Sequence, residues 1–182
     1  MKLSEQCVWV LGAGFLGSAL ARAAVTAGAR VLSIDPTATA DVRGYGYDAA
    51  VLREARARLL PAVVFCCMAT RGGSAADYAR CYLHTVEQLR AVVPQAKLVF
   101  CSSTSVYGET QGCRVTEQSP AAAKGERAAL LLRAEQAVLA AGGTVARLAA
   151  LYGEGRCELL RRHAAGEPRL PGAEDRFLNY VH

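Results

Sequence analysis

The chain has 182 residues, of which 52% are hydrophobic and 20% are charged, and its formal net charge is +5. This composition predicts a single folded domain, 1–182, and argues against a disordered chain. The apolar runs are about strand length and the cations are scattered, so we expect neither a membrane nor a nucleic acid as a partner.

Strand-like and helix-like segments alternate along the chain, which predicts an α/β fold: a doubly wound, Rossmann-type parallel sheet with helices on both faces. The first half predicts strand Cys7–Leu11, helix Phe15–Ala27, strand Arg30–Ile34, a weak strand near Gly44–Tyr47, helix Val51–Leu59 and strand Ala62–Cys67. The second half predicts helix Ala75–Val93, strand Lys97–Cys101, polar loop Ser102–Pro120, helix Ala121–Ala141, strand Thr144–Leu148, a short helix near Glu158–Ala165 and a Pro- and Gly-rich tail.

The first strand, turn and helix follow the order of a dinucleotide-binding site. Gly12 would allow a tight turn, Gly14 would let backbone N–H groups approach a pyrophosphate, and Gly17 would let the helix pack against the strand. The predicted cofactor-binding residues of this turn are Gly12, Gly14, Phe15, Leu16 and Gly17.

Asp35 follows Gly17 by 18 residues, at the end of the second apolar run. A carboxylate there accepts hydrogen bonds from the adenosine ribose and repels a 2′-phosphate, which favours NAD over NADP. The alternative is that Asp35, before Pro36, only starts a turn. Arg43 is near enough in sequence to keep NADP open as the less favoured cofactor.

Two polar, glycine-bearing segments follow predicted buried strands, at 68–73 and 102–108. Ligands of doubly wound sheets bind at the carboxyl ends of the strands. We therefore expect these segments, including Met68 and Ala69, to contact the ribose and nicotinamide of the cofactor. The alternative is ordinary loop structure.

Three segments carry recognisable motifs: Ser-Ser-Thr-Ser-Val-Tyr-Gly at 102–108, Arg147 followed by Leu-Tyr-Gly-Glu-Gly at 151–155, and Phe-Leu-Asn-Tyr-Val-His at 177–182. With the glycine turn, they resemble the extended branch of the short-chain dehydrogenase/reductase superfamily, of the nucleotide-sugar epimerase/dehydratase type. The resemblance implies an NAD(P)-dependent oxidoreductase or epimerase-like protein that acts on a small polar or nucleotide-sugar-like substrate.

Carried over by position, the resemblance implies that Ser103 is the catalytic serine, which hydrogen-bonds the reacting oxygen, and that Asp48 contacts adenine. The superfamily's Tyr-x-x-x-Lys pair would fall at Arg127 and Leu131, so the pair is absent and the chain resembles the atypical members. Tyr107 is then a candidate proton donor, and packing beneath the loop is the alternative for it.

Two other functions stay open. The missing pair is compatible with a non-catalytic dinucleotide-binding sensor or scaffold. A thiol-based redox protein would use Cys66 with Cys67, or Cys113. The seven cysteines form no C-x-x-C pair and no signal-peptide pattern precedes them, so we expect a reduced, cytoplasmic setting, and no ligand spacing supports a metal.

The resemblance also has implications for assembly. Its substrate-binding part is built largely from segments beyond residue 182, so we expect the C-terminal substrate-binding part to be lacking. The predicted helices 75–93 and 121–141 correspond to those of a four-helix dimer interface, which implies a homodimer. The apolar residues expected on the outer helix faces are Leu130, Leu132 and Val138.

Lys124 and Arg127 are the cations that could lie near the site.

Overall fold

A computed structural model describes residues 4–37, 39–70, 72–109, 111–166 and 179–182. Its strands are β1 (Cys7–Leu11), β2 (Arg30–Asp35), β3 (Val42–Arg43), β4 (Val63–Cys66), β5 (Lys97–Ser103), β6 (Thr144–Leu148), β7 (Ala150–Leu151) and β8 (Tyr180–Val181). The first six form one sheet in the order β3-β2-β1-β4-β5-β6, and every neighbouring pair is parallel. Strands β7 and β8 pair in parallel as a separate ribbon.

Helices connect most of these strands, as is usual in a parallel sheet. They are α1 (Phe15–Thr26), α2 (Ala49–Arg58), α3 (Ala75–Tyr78), α4 (Thr85–Val92), α5 (Glu126–Ala140) and α6 (Glu158–Ala164). A π-helical turn, Ala79–His84, joins α3 to α4, and a single 3₁₀ turn, Thr104–Val106, follows β5. Within the described residues, no helix is long and apolar enough to cross a membrane.

The sheet is buried on both faces, so its central strands are nearly continuous apolar runs. One face packs Val8 and Val10 against Ala24 of α1. The opposite face is larger and packs Trp9 and Phe100 against the helices that follow β3, β4 and β5. The helix residues in this second layer include Leu52, Val86, Leu89, Leu131 and Val138. The predicted doubly wound fold is therefore confirmed.

The third strand was wrongly placed by the sequence. We expected it near Gly44–Tyr47, but it is Val42–Arg43, which pairs with the end of β2. Gly44 has a φ of +152°, which ends the strand, and Gly46 passes so close to the core that a Cβ there would lie 2.7 Å from Leu11 Cδ2. The segment is a close-packed turn.

Two helix predictions also need correction. The helix expected at Ala121–Ala141 begins only at Glu126, because Gly125 has a φ of +90° and is the N-cap. The helix expected at Ala75–Val93 is interrupted by the π-helical turn. Finally, the strand expected to end at Cys101 continues to Ser103, so the polar loop starts later than expected.

The expected outer helix face is wrong at one position. Val138 is fully buried in the core, whereas the next residue, Leu139, is 54% exposed. Leu132 is half-buried against the core and Leu130 is also half-buried.

Most of the predicted Pro- and Gly-rich tail, 167–178, including the first part of the 177–182 motif, lies outside the described residues.

Candidate dinucleotide-binding site

The glycine turn between β1 and α1 is shaped by two backbone approaches. Gly12 has a φ of +87°, and a Cβ there would lie 2.8 Å from Met68 N and 2.9 Å from the Cys67 carbonyl oxygen. At Gly17, a Cβ would lie 1.9 Å from the Gly12 carbonyl oxygen. Both positions therefore require glycine, since real Cβ atoms do not approach backbone this closely.

Gly14 differs from these two glycines because it faces open space. Its φ of −72° and ψ of −159° suit any residue, and no atom of the described chain lies within 4 Å of a Cβ built there. Gly14 is also the N-cap of α1, and the first turn of that helix contains no acidic residue. The turn therefore leaves room for an anion beside the positive end of a helix, which is the fit that a pyrophosphate requires.

Asp35 lies directly beside the glycine turn. Its Oδ2 accepts a hydrogen bond from Ala13 N at 2.8 Å, and its Oδ1 accepts one from Thr37 N at 3.0 Å. The carboxylate thus braces the glycine turn and starts the next one, as the turn interpretation of Asp35 expected, whereas its contact with a ribose stays a prediction. Arg43 is its register partner across β2 and β3 and is exposed.

The loop after β4 borders the same turn. Met68 is half-buried against the core and Ala69 is exposed. Thr70 N donates a 3.3 Å hydrogen bond to the hydroxyl of Tyr82, and burial raises the pKa of this tyrosine. Tyr82 on the π-helical turn therefore anchors the loop after β4 by a hydrogen bond. The sequence did not predict this contact.

Ser103 and Tyr107 lie on either side of the 3₁₀ turn after β5. The Ser103 hydroxyl accepts a 3.1 Å hydrogen bond from Ser105 N and so caps this turn. The Tyr107 hydroxyl donates to the Thr116 carbonyl oxygen at 3.1 Å. A cavity of about 290 Å³ lies against Tyr107, and its lining includes the cations Arg114 and Lys124.

A buried ion pair, missed by sequence reasoning, supports this loop. Glu135 of α5 is 1% exposed, and its Oε2 lies 2.7 Å from Nη2 of Arg147 on β6. The Ser102 hydroxyl donates to Glu135 Oε1 at 2.5 Å. The Arg147 guanidinium also lies 4.8 Å from the centre of the Tyr107 ring, and its hydrogen bonds to Glu135 raise its pKa. Arg147 stood in a recognised motif, but only the fold could reveal its contact with Glu135.

The positions that correspond to the Tyr-x-x-x-Lys pair have other roles here. Arg127 Nη1 donates to the Gly72 carbonyl oxygen at 3.0 Å and so ties the start of α5 to the loop after β4. Leu131 is 3% exposed and belongs to the core. Asp48, expected at adenine, is the N-cap of α2 and accepts a 2.8 Å hydrogen bond from Ala50 N.

A fourth loop meets the glycine turn at Phe15. A Cβ on Gly153 would lie 2.8 Å from Phe15 Cζ, and the Arg156 guanidinium lies 5.2 Å from the centre of the Phe15 ring. Leu16, the next predicted residue of the turn, is half-buried. The carboxyl ends of β1, β4 and β5 and the loop after β7 thus meet at one edge of the sheet, as expected of a doubly wound fold.

The cysteines do not pair as the thiol-based redox hypothesis expected, which was Cys66 with Cys67. Cys66 is fully buried, and burial raises the pKa of its thiol. Cys67 instead contacts Cys101 across the sheet, with a distance of 3.7 Å between the two sulfur atoms. Cys113 is exposed. Among the residues that the structure describes, no group of three potential ligands could hold a metal ion.

The parallel sheet order, the glycine turn and the position of Asp35 define a Rossmann-type fold. A family model described as the NAD dependent epimerase/dehydratase family matches residues 8–167. The chain therefore belongs to this family, and the predicted relationship is confirmed. The predicted NAD cofactor agrees with the cofactor of the family. No curated protein matches the chain.

Solved structures have the same fold. A Methylobacillus flagellatus protein assigned as an NAD-dependent epimerase/dehydratase has a TM-score of 0.72 at 24% identity, covering 92% of this chain and 62% of its own. The UDP-glucose 4-epimerase of Thermus thermophilus, in complex with NAD, has a TM-score of 0.68 at 24% identity, covering 81% and 56%. MoeE5, in complex with UDP-glucose and NAD, has a TM-score of 0.69 at 25% identity, covering 88% and 62%. The chain thus spans about 62% of the first of these relatives.

Proposed function

We propose that this chain binds NAD at the glycine turn and supplies the cofactor half of an NAD-dependent, epimerase-like oxidoreductase of the atypical type. The observation that carries the proposal is the open space at Gly14, at the N-terminus of α1, beside the Asp35 carboxylate. A pyrophosphate needs this combination of close backbone access and a positive helix end. Bound NAD would supply a hydride acceptor and donor.

The Asp35 carboxylate favours NAD over NADP. It lies at the end of β2, where an acid can accept hydrogen bonds from ribose hydroxyls and would repel a 2′-phosphate. Arg43 is its register neighbour on β3. That cation offsets part of the repulsion, so we expect weak NADP binding beside tighter NAD binding.

The proposed substrate is a small polar molecule or a nucleotide sugar, bound near the loop after β5. The cavity beside Tyr107 is lined by Arg114 and Lys124, which favour a phosphate-bearing ligand. Ser103 would hydrogen-bond the reacting oxygen, because its hydroxyl can donate its own hydrogen while it accepts from Ser105 N. Tyr107 would have to exchange its Thr116 partner for the substrate in order to donate a proton.

A second candidate function is a non-catalytic dinucleotide-binding sensor or scaffold. It is favoured by Arg127 and Leu131, which stand where the Tyr-x-x-x-Lys pair would fall. The Arg127 guanidinium is engaged with the Gly72 carbonyl and does not take over the role of a tyrosine hydroxyl. Leu131 is buried in the core and carries no charge. NAD binding without turnover would identify this second function.

A cytoplasmic homodimer remains part of the proposal. The homodimer part is supported by the half-buried Leu130 and the 54% exposed Leu139 on α5, which leave apolar surface on that helix.

The test of the proposal is NAD binding by a Gly14→Ala variant, measured by titration calorimetry. Because a Cβ at Gly14 meets no described atom, the stability should change by about 1 kcal/mol or less, the difference between glycine and alanine as N-cap. If the pyrophosphate packs on Gly14, the methyl group should weaken NAD binding by about tenfold or more, or about 1.4 kcal/mol. Ala23→Ser, exposed on the same helix, is the matched control and should bind normally.

Equal NAD affinity for Gly14→Ala and the wild type would contradict the proposed site. The same samples, mixed with NAD and nucleotide sugars, then decide between the two functions. Formation of reduced nicotinamide that Ser103→Ala abolishes would support the enzyme. Tight NAD binding without any turnover would support the sensor or scaffold.

A further inference from the structure

The contact between Cys67 and Cys101 is built into the register of the sheet. Cys66 is the partner of Phe100 across β4 and β5, so the next residues on the two strands, Cys67 and Cys101, lie opposite each other. Neighbouring strands are about 4.8 Å apart, within the Cα separation of roughly 4.4–6.8 Å found in disulfides. Both residues are half-buried, and their sulfur atoms are 3.7 Å apart.

This thiol pair lies directly beside the glycine turn. The carbonyl of Cys67 and the amide of Met68 are the atoms that a Cβ on Gly12 would meet, at 2.9 and 2.8 Å. On the other strand, Cys101 precedes Ser102, whose hydroxyl is bonded to the buried Glu135. A change at the two sulfur atoms would therefore reach the backbone that shapes the turn.

The two thiols are electrostatically unequal. The hydrogen bond between them lowers the pKa of Cys101, although burial opposes this effect. The same bond, together with burial, raises the pKa of Cys67. Cys101 is thus the thiol that ionises first, and its thiolate would accept a hydrogen bond from Cys67.

We propose that Cys67 and Cys101 form a redox-sensitive dithiol, whose oxidation to a disulfide by a peroxide weakens dinucleotide binding at the adjacent turn. The disulfide itself is independent of the proposed function, whereas its effect on binding rests on that function.

The chemistry needs one peroxide for each pair. The Cys101 thiolate attacks a peroxide oxygen, an S–O bond forms, the O–O bond breaks, and hydroxide leaves and takes up a proton to become water. The Cys67 sulfur then attacks the Cys101 sulfenic acid, the S–S bond forms, and a second water leaves with the Cys67 proton. Two thiols are oxidised by two electrons, and hydrogen peroxide is reduced to two waters.

Closure of the disulfide requires movement of the backbone or side chains. The sulfur atoms must approach from 3.7 Å to about 2.05 Å. Part of this approach can come from rotation of the side chains. The rest would pull Cys67 towards β5 and away from its close packing on Gly12, which would misplace Met68 beside the cofactor.

The first readout is disulfide mapping of the full chain after treatment with hydrogen peroxide. Trypsin leaves Cys66 and Cys67 together on peptide 59–71, and Cys101 and Cys113 together on peptide 98–114. A crosslink between these peptides is expected in the wild type. It should persist in the matched controls Cys66→Ala and Cys113→Ser, and it should be absent from Cys67→Ser.

The second readout is NAD affinity before and after oxidation. We expect oxidation to weaken binding by about fivefold or more in the wild type, and reduction by dithiothreitol to restore it. Cys67→Ser should show no such change. No crosslink, or a crosslink that survives in Cys67→Ser, would overturn the assignment of the pair. A crosslink with unchanged affinity would overturn its effect on binding, and a reduced protein that binds no NAD would contradict the proposed function but leave the mapping informative.

Discussion

Replacing Arg147 by methionine should destabilise the protein strongly, because it leaves the Glu135 carboxylate buried without its cation. Glu135 is 1% exposed and receives three hydrogen bonds from Arg147, of 2.7, 3.1 and 3.1 Å. Removal of one partner of a buried ion pair costs about 3–5 kcal/mol. The Arg147 side chain is 22% exposed, so water can reach part of the gap, and we expect about 3 kcal/mol.

Urea denaturation, followed by the fluorescence of Trp9, can measure this loss. Trp9 is the single tryptophan, it is fully buried in β1, and its indole N–H donates to the Leu59 carbonyl at 2.8 Å. It therefore reports on the sheet itself. For a chain of this size, a loss of about 3 kcal/mol should also lower the Tm by roughly 6–12 °C.

Two further variants separate charge from packing. Arg147→Lys keeps the positive charge but loses the two-pronged contact, so its stability should fall between those of the wild type and Arg147→Met. The double variant with Glu135→Gln removes the stranded charge and keeps an acceptor for Ser102. It should be about 2 kcal/mol more stable than Arg147→Met alone. A double variant no more stable than the single one, or an Arg147→Met variant within about 1 kcal/mol of the wild type, would refute the reasoning.

Two other predictions concern the turn and the start of α3. Gly17→Ala should lose about 3 kcal/mol or more in urea denaturation, because its methyl group would lie 1.9 Å from the Gly12 carbonyl oxygen, and normal stability would contradict this geometry. Hydrogen bonds from Ser74 lower the pKa of Asp77, so its stabilising effect is present above its unfolded pKa of about 3.9 and is lost as the pH falls below that value. Asp77→Asn should therefore have a lower Tm than the wild type at pH 7 but nearly the same Tm at a pH well below the lowered pKa of Asp77. A difference in Tm that persists in acid would argue against the effect.

The sequence predicted best those elements whose ends are marked by glycine. β1 was predicted at its observed bounds because the apolar run stops at Gly12, and β6 because Gly142 and Gly143 precede it. The start of α5 was wrong because the alanines from Ala121 favour a helix, whereas Gly125 at positive φ starts it later. Local propensity could not indicate the conformation of that glycine.

The shape of the glycine turn in the candidate site could be predicted because its residues are close together in sequence. The contacts that link elements far apart in the sequence could not. Ser102 and Glu135 are 33 residues apart, and Cys67 and Cys101 are 34 apart. The packing of α5 on the sheet brings the first pair together and the register of β4 and β5 brings the second, and periodicity in one sequence contains neither.

The π-helical turn between α3 and α4 adds one residue to the length of this helix. A π turn closes with one residue more than an α turn, so Ala79–His84 accommodates an extra residue within an otherwise continuous helix. An α-helical path without that residue would rotate α3 by about 100° relative to α4. The Tyr78 ring, whose centre is now 5.9 Å from the Arg127 guanidinium, would then turn away from it. The helix would no longer contact both the loop after β4 and the start of α5. One residue of helix length thus sets which side chains face the edge of the sheet that carries the glycine turn.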